Sequence, residues 1–511
     1  MVDNGMVYFA RANRGGELAD KIFLNPKMAN KHGFICGATG TGKTITLKVL
    51  AESFSKIGVP VFVSDVKGDV AGLAKPGIDS EDMQERIKRF KLTDFEYRGY
   101  PATIYDVYGE KGIPLRTTIS EIGPQLLSSI LDLNDTQTSL LAVVFKIADD
   151  NELIISDTKD LKAVLTYVSD NASEFEQDYG HIAKASVTTI IRSIVALEGE
   201  GADKFFGEPA IQISDFFTVD SSGMGMINIL DAESLINKPR MYSAFMLYLL
   251  SELFEVLPEV GDPEKPKMVF FFDEAHLLFD NASKALLDKI EQVVKLIRSK
   301  GVSIFFATQN PADIPNEVLS QLSNKIEHAL RAYTPADQKA LRAAADSFRT
   351  NEAFNTEELL QNLGKGEAIV SVLDEKGVPT IAEHACILPP ESSMSAISDA
   401  DRQSIINNSN LYVKYAKSID PESAYEKLNS NKVTKVEQEN TVQGVKVAKP
   451  ENKRGMSTET KRVLRTASGS IGREVGKTVG EAILGKKGKT IGGNIGASIA
   501  RNMFGTMTNK K

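Results

Sequence analysis

Two kinds of hydrophobic pattern alternate along this chain. Short, nearly continuous apolar runs occur at 33–36, 59–65, 225–230, 267–273 and 302–308, each closed by a glycine, an acid or a polar turn. Runs of that length, rich in Val, Ile and Phe, predict strands buried on both faces of a sheet. Between them lie stretches whose apolar residues recur every three or four positions. The first holds Ile45, Leu47, Val49, Leu50 and Phe54 and stops at Gly58; another spans 240–255, and a third spans 282–299. That period predicts helices, and a glycine just past the last apolar position is a helix stop. Strand, helix and strand at this spacing make parallel crossover units. The chain is therefore expected to be α/β with a mainly parallel sheet.

The pattern changes between 76 and 215. Segments 136–148, 158–168 and 182–197 have helical periodicity with few strand signals, which predicts a mostly helical insertion. The core then comprises 1–75 and 216–390, with further strands expected at 325–331 and 367–372. A hairpin turn at 374–377 leads into 378–387. From 391 to 455 the chain becomes polar and reads as a linker with room for short helices and little core. The end, 456–511, is a basic, helical, glycine-spaced tail: Gly472, Gly476 and Gly480 recur every four residues beside Ile471, Val475 and Val479. Such a stripe lets helices approach closely. Arg473, Lys477, Lys486, Lys487 and Lys489 make the same segment suited to an anionic surface.

Charge sharpens the division. The 511 residues carry a net −8, yet 451–511 hold 13 Lys and Arg against 4 Asp and Glu. The remainder is strongly acidic, so a general nucleic-acid coat is excluded, although a local basic groove is not. The absence of a long apolar run argues against a membrane span. The amino terminus lacks a secretory layout, and two cysteines, Cys36 and Cys386, fit a reducing compartment. The expected location is cytoplasmic, or peripheral at a membrane through the tail.

The chemistry is concentrated where apolar runs end. Gly37, Ala38, Thr39, Gly40, Thr41, Gly42, Lys43 and Thr44 follow the first run and precede the first helix. This is the phosphate-loop pattern in its required context: glycines let backbone N–H groups converge on an anion, and Lys43 adds a point charge. Thr44 offers a hydroxyl to Mg²⁺. A second run, Phe270, Phe271 and Phe272, ends in Asp273 and Glu274. Asp273 reads as the carboxylate for Mg²⁺ and Glu274 as the general base that polarises water. A helix start would also favour two acids there. Gln309 and Asn310 close the next run, where a glutamine can reach a terminal phosphate or its water, or simply belong to a turn. Asp65 and Lys67 follow the run at 59–65; Asp65 can orient metal or water or cap a turn. His276 can orient Glu274 or cap the helix. Cys36 reads as a small buried hydrophobe, and His384 with Cys386 lacks zinc partners. His181 and His328 carry no signal.

These segments, with Asp65, Val66, Lys67, Gly68 and Asp69, with Ser299, Lys300, Gly301 and Val302, and with Ala307, Thr308, Gln309, Asn310 and Pro311, resemble the HerA/FtsK class of P-loop ATPases. More narrowly they resemble the bacterial YjgR-type HerA-like proteins, over about 24–389. The resemblance implies a RecA-like core that hydrolyses ATP with Mg²⁺ as a homo-oligomer, usually a hexamer. It also implies an arginine supplied by the neighbouring subunit. Arg331 matches the segment that carries such a residue, with Arg342 as competitor; the alternative is a surface ion pair of Arg331 with Asp337 or Glu327. The β-barrel that precedes the ATPase in HerA proper is expected to be missing or reduced to a strand. Asn324, Lys325 and Glu327 match a guanine-reading motif poorly, and ATP is favoured through the resemblance.

Three functions follow as expectations. The first is an ATP-driven motor on DNA, with connections in 70–120 or 199–224 lining a pore. The second is an ATPase that moves or remodels protein, docked to a membrane or partner by its tail. The third is an ATP-gated assembly protein.

Overall fold

The structure, a computed structural model, describes residues 2–280 and 284–430. The glycine-spaced tail and the rest of the expected linker lie outside the described residues.

Thirteen strands form one sheet among the described residues. They are β1 (Val2–Asp3), β2 (Met6–Arg14), β3 (Glu17–Leu24), β4 (Gly33–Cys36), β5 (Val61–Asp65), β6 (Ala102–Asp106), β7 (Ile113–Pro114), β8 (Ile227–Asp231), β9 (Met268–Phe272), β10 (Val302–Thr308), β11 (Asn324–Glu327), β12 (Glu367–Ser371) and β13 (Glu383–Ile387). The order is β1-β2-β13-β12-β11-β4-β10-β9-β5-β8-β6-β7, with β3 paired to β2. From β11 through β7 every pairing is parallel. From β12 to β1, and at β3, every pairing is antiparallel. The expected α/β class with a mainly parallel sheet is what the chain adopts.

The central strands are buried along their whole length because both faces are covered. Phe34, Phe62, Phe270 and Phe272 face one hydrophobic core, while Ile35, Val61, Val63 and Phe271 face the other. The second core includes helix Lys43–Lys56 through Leu47, Leu50 and Phe54. The first takes in helix Pro239–Val256, apolar on nearly all sides, which packs between helices Lys284–Ile297 and Ile119–Ile130. A helix without a polar face has to be enclosed in this way.

Three expectations shift. The residues before the core form β1, β2 and β3, more than a single strand, and extend the sheet through β13. The region read as mostly helical also contributes β6 and β7, which lie between the helix Glu81–Phe90 and the helices that follow from Ile119. Residues 391–430, read as linker, carry helices Asp399–Asn408 and Asn410–Tyr415 and bury Ile406, Tyr415, Ala424 and Leu428. Their anchors are polar, which is why composition concealed them. Arg402 pairs with Asp231 at 2.6 Å, and the Tyr415 hydroxyl donates to Asp215 at 2.5 Å.

Candidate functional site

Strand register brings the motifs together. Cys36 lies beside Thr308, and Phe306 beside Phe272, so β4, β10 and β9 end on the same edge of the sheet. Ligands of open parallel sheets collect at this edge. The glycine loop leaves β4 there and is held on three sides. Gly37 N–H donates to Thr308 O at 3.2 Å, Ala38 N–H to Ala329 O at 2.8 Å, and Gly366 N–H to Thr41 O at 2.8 Å. Gly37 and Gly42 have φ of 154° and 127°, which disfavours any side chain. A Cβ on Gly37 would also stand 2.5 Å from the His328 Cβ. Helix Lys43–Lys56 begins directly after the loop, with Gly42 providing no side-chain cap, so its first turn is presented to a ligand. Thr44, half-buried, lies in that turn.

His328 was silent in the sequence. It is fully buried, with one ring nitrogen 2.8 Å from the Thr46 hydroxyl and the other 2.8 Å from Glu367 O. Burial, opposed by the hydrogen bond to Glu367 O and aided by the Lys43 charge, brings its pKa down to about 4, so it stays neutral. It is the wall against which the loop is folded. Only packing between β11 and the loop reveals that role; the residue itself sits in no motif.

Lys43 turns onto its own loop and donates to Gly37 O at 2.6 Å and Ala38 O at 3.3 Å. Burial lowers its pKa, while Glu274 and Asp273 oppose the fall and Lys67 adds to it. The cation and the acid pair therefore share one electrostatic environment. Asp273 is 1% exposed and its Oδ2 has no hydrogen-bond partner among the described residues. Burial and then Glu274 push its pKa up to about 7. A buried carboxylate oxygen left unpaired is costly, and a divalent cation would satisfy it. The residues present thus fit Mg²⁺, with Asp273 and Thr44 as the groups to hold it.

Glu274 is clasped from several directions. Lys67 forms an ion pair with its Oε1, the Gln309 amide donates to both oxygens at 3.1 Å, and His276 Nδ1 stands 3.3 Å from Oε2. Burial would raise the carboxyl, but the Lys67 hydrogen bond and charge, with Gln309, hold it below the usual value. Its φ of +48° is rare for a non-glycine residue. Gln309 also accepts from the Thr39 hydroxyl at 2.9 Å and so links the glycine loop to the acid. Asp65 is a turn cap: its two oxygens accept from Gly68 N–H at 2.7 Å and Ala71 N–H at 3.0 Å. Lys67 from the same turn is the residue that reaches the acid.

A cavity of about 550 Å³ opens beside the loop, lined by Thr39, Gly40, Gln309, Arg331, Tyr333 and Lys365 among others. Arg331 thus lies on the rim of its own loop, donating to Gln361 O at 2.5 Å. Neither suggested ion pair is its bond here; Asp337 caps the helix Pro335–Asp346. Arg342 pairs with Glu357 at 3.3 Å. Asn324 is fully buried and spends its side chain on Met28 O, His32 O and Leu373 N–H, so it is not available to read a base.

With this geometry in hand, comparison with known proteins is informative. The helicase HerA-like C-terminal family matches residues 12–511. The chain belongs to that family. HerA relatives include the DNA double-strand break repair helicase HerA of Sulfolobus acidocaldarius, 22% identical over 362 residues, covering 70% of this chain and 65% of that protein. The namesake of Sulfurisphaera tokodaii is 21% identical over 366 residues, with the same coverage. The chain therefore spans about two thirds of the length of these HerA proteins. Among solved structures, plasmid coupling protein TrwB in complex with ADP and Mg²⁺ has a TM-score of 0.51 at 15% identity, covering 77% of this chain and 96% of TrwB. That likeness concerns the fold, a RecA-like P-loop core.

Proposed function

We propose that this HerA-family chain hydrolyses ATP with Mg²⁺ as a homo-oligomer, with six subunits in the ring, and uses the cycle to move along DNA. The observation that carries the reading is Gln309, which ties Thr39 of the glycine loop to the carboxylate of Glu274. A phosphate on the loop and a water beside Glu274 would then be registered to one another by a single side chain.

In this reading the Gly37–Gly42 backbone and Lys43 bind the phosphates, and Lys43 leaves its loop carbonyls to do so. Thr44 and Asp273 would hold Mg²⁺, which when bound offsets phosphate charge. Glu274 takes a proton from the attacking water, and Gln309 fixes that water and reports loss of the terminal phosphate. Arg331 or Arg342 contributes charge to the transferring phosphate, from a neighbouring subunit in the oligomer. DNA as the track is supported by the helicase names of the relatives, and the connections in 70–120 or 199–224 are the proposed pore lining.

The test is ATP turnover with and without duplex DNA. The motor reading expects stimulation that falls steeply as salt rises, because phosphate contacts release counterions. ATP turnover indifferent to DNA at all salt concentrations would remove DNA as substrate. A second reading, docking to a membrane or partner, is favoured by the basic 451–511 segment. It expects stimulation by anionic vesicles that is lost on deleting 456–511. Among the described residues no helix is long and apolar enough to cross a membrane.

A further inference from the structure

We propose that Lys67 changes partner during the cycle: it clasps Glu274 in one state and transfers to the terminal phosphate when a nucleoside triphosphate binds. The inference rests on the phosphate-site reading above and adds to it a residue that tells triphosphate from diphosphate.

The lone pairs of Glu274 are almost all in use. A carboxylate has about four acceptor positions. Here Oε1 accepts from Lys67 and Gln309, while Oε2 accepts from Gln309 and stands beside His276. The side chain is 4% exposed, so little room remains for a water to be activated. A general base has to offer a free lone pair to the proton it takes. One of the donors therefore has to leave.

Lys67 is the donor able to do so. Gln309 is pinned by the Thr39 hydroxyl, and His276 opens the short helix His276–Phe279 directly after the acid. Lys67 has a side chain 43% exposed, on a flexible four-carbon stem, and its ammonium donates to Glu274. The turn beneath it is rigid, since Asp65 caps it twice. The backbone thus stays in place while the ammonium moves.

Its destination follows from the neighbouring charges. Lys67 is close enough to Lys43 for the two cations to disfavour one another. Phosphates bound at Lys43 would turn that repulsion into shared attraction. The terminal phosphate adds an anion that a diphosphate lacks, and a charged hydrogen bond to it would replace the one Lys67 gives up. The exchange frees Oε1 of Glu274 at the moment when a hydrolysable phosphate is present.

Equilibrium binding tests this without using turnover. A non-hydrolysable ATP analogue and ADP, each with Mg²⁺, are titrated by calorimetry into the full chain and four variants. Lys67→Met is expected to weaken the triphosphate analogue by about tenfold and leave ADP unchanged. Lys67→Arg should keep most of the preference. Glu274→Gln should tighten the analogue, because Lys67 no longer has an ion pair to break, and this gain should vanish in the Lys67→Met, Glu274→Gln double variant. Equal losses for both nucleotides in Lys67→Met, or none for either, would overturn the exchange, as would a Glu274→Gln gain that persists without Lys67. Unchanged ADP binding also certifies that the variants are folded. If the wild-type chain binds neither nucleotide, the phosphate-site reading itself fails.

Discussion

The phosphate edge and the strap at 391–393 bury charge to a similar depth and treat it in opposite ways. At the strap, Glu52 is fully buried in the phosphate-loop helix and accepts from Glu391 N–H, Ser392 N–H and the Ser392 hydroxyl. Lys48, on the same helix and also fully buried, donates to Ser393 O at 2.7 Å. Glu391 receives Lys56 at 2.5 Å and the Tyr100 hydroxyl at 2.8 Å. Each of these charges has a partner of its own. At the phosphate edge, Asp273 keeps an oxygen unpaired among the described residues, Lys43 folds onto its own loop, and Glu274 is shared by Lys67, Gln309 and His276. Satisfied burial holds a helix in place, whereas unsatisfied burial on the same helix and its neighbours waits for a ligand.

The largest effects that would break this contrast belong to the phosphate edge. Lys43→Ala should abolish nucleotide binding, read by calorimetry; normal ATP affinity would refute the cradle. Glu274→Gln should retain binding and lose turnover by about 10³-fold. Arg331→Ala should reduce turnover by about 10²-fold with ATP still bound. In mixtures with wild-type chain, a loss greater than the mutant fraction marks a neighbour-supplied arginine. A strictly proportional loss would mean that Arg331 serves its own loop, on whose rim it lies.

Smaller effects sharpen the contrast through stability. Glu327, in β11 beneath the loop, is fully buried with an unpaired Oε2, and burial, partly offset by Lys325, pushes its pKa up to about 7. An acid with a raised folded pKa contributes stability that is present below its unfolded value and lost as pH rises through the folded value. Relative to Glu327→Gln, the wild-type chain should therefore lose stability between about pH 4.5 and 7, by about 3 kcal/mol at most. Denaturant midpoints measured across that range check it; a pH-independent difference would show that Glu327 is already satisfied. Ser392→Ala at the strap should cost about 1–2 kcal/mol, with ATP affinity unchanged. A change in affinity instead would show that the strap tunes the nucleotide site.

Much of the site was legible in order along the chain. The phosphate loop and the Asp273, Glu274 pair each follow a fully apolar run, and strands of that kind occur in parallel sheets whose ends gather ligands. Lys67 and Asp65 were visible as residues of that edge, but not their division of labour, because which of two turn residues caps and which reaches depends on the turn's own hydrogen bonds. His328 was invisible, since its role lies in contacts with Gly37, Thr46 and Glu367 across three elements. How firmly 391–393 is held could not be read, because it is held by hydrogen bonds to buried charges, and a polar sequence gives no sign of which of its residues find such partners.

Local order was enough to determine the α/β class and the parallel crossovers, and to mark the glycine loop and the acid pair as candidates. Those properties depend on period and spacing, which neighbouring residues carry among themselves. The third dimension alone decided that β1–β3 extend the sheet, that Gln309 joins the glycine loop to Glu274, that Lys67 holds Glu274 and that 391–393 clamps the helix Lys43–Lys56. Each of these is a pairing of polar atoms distant in sequence. Their strength comes from exclusion of water by the surrounding core, a condition that exists only once the chain has folded.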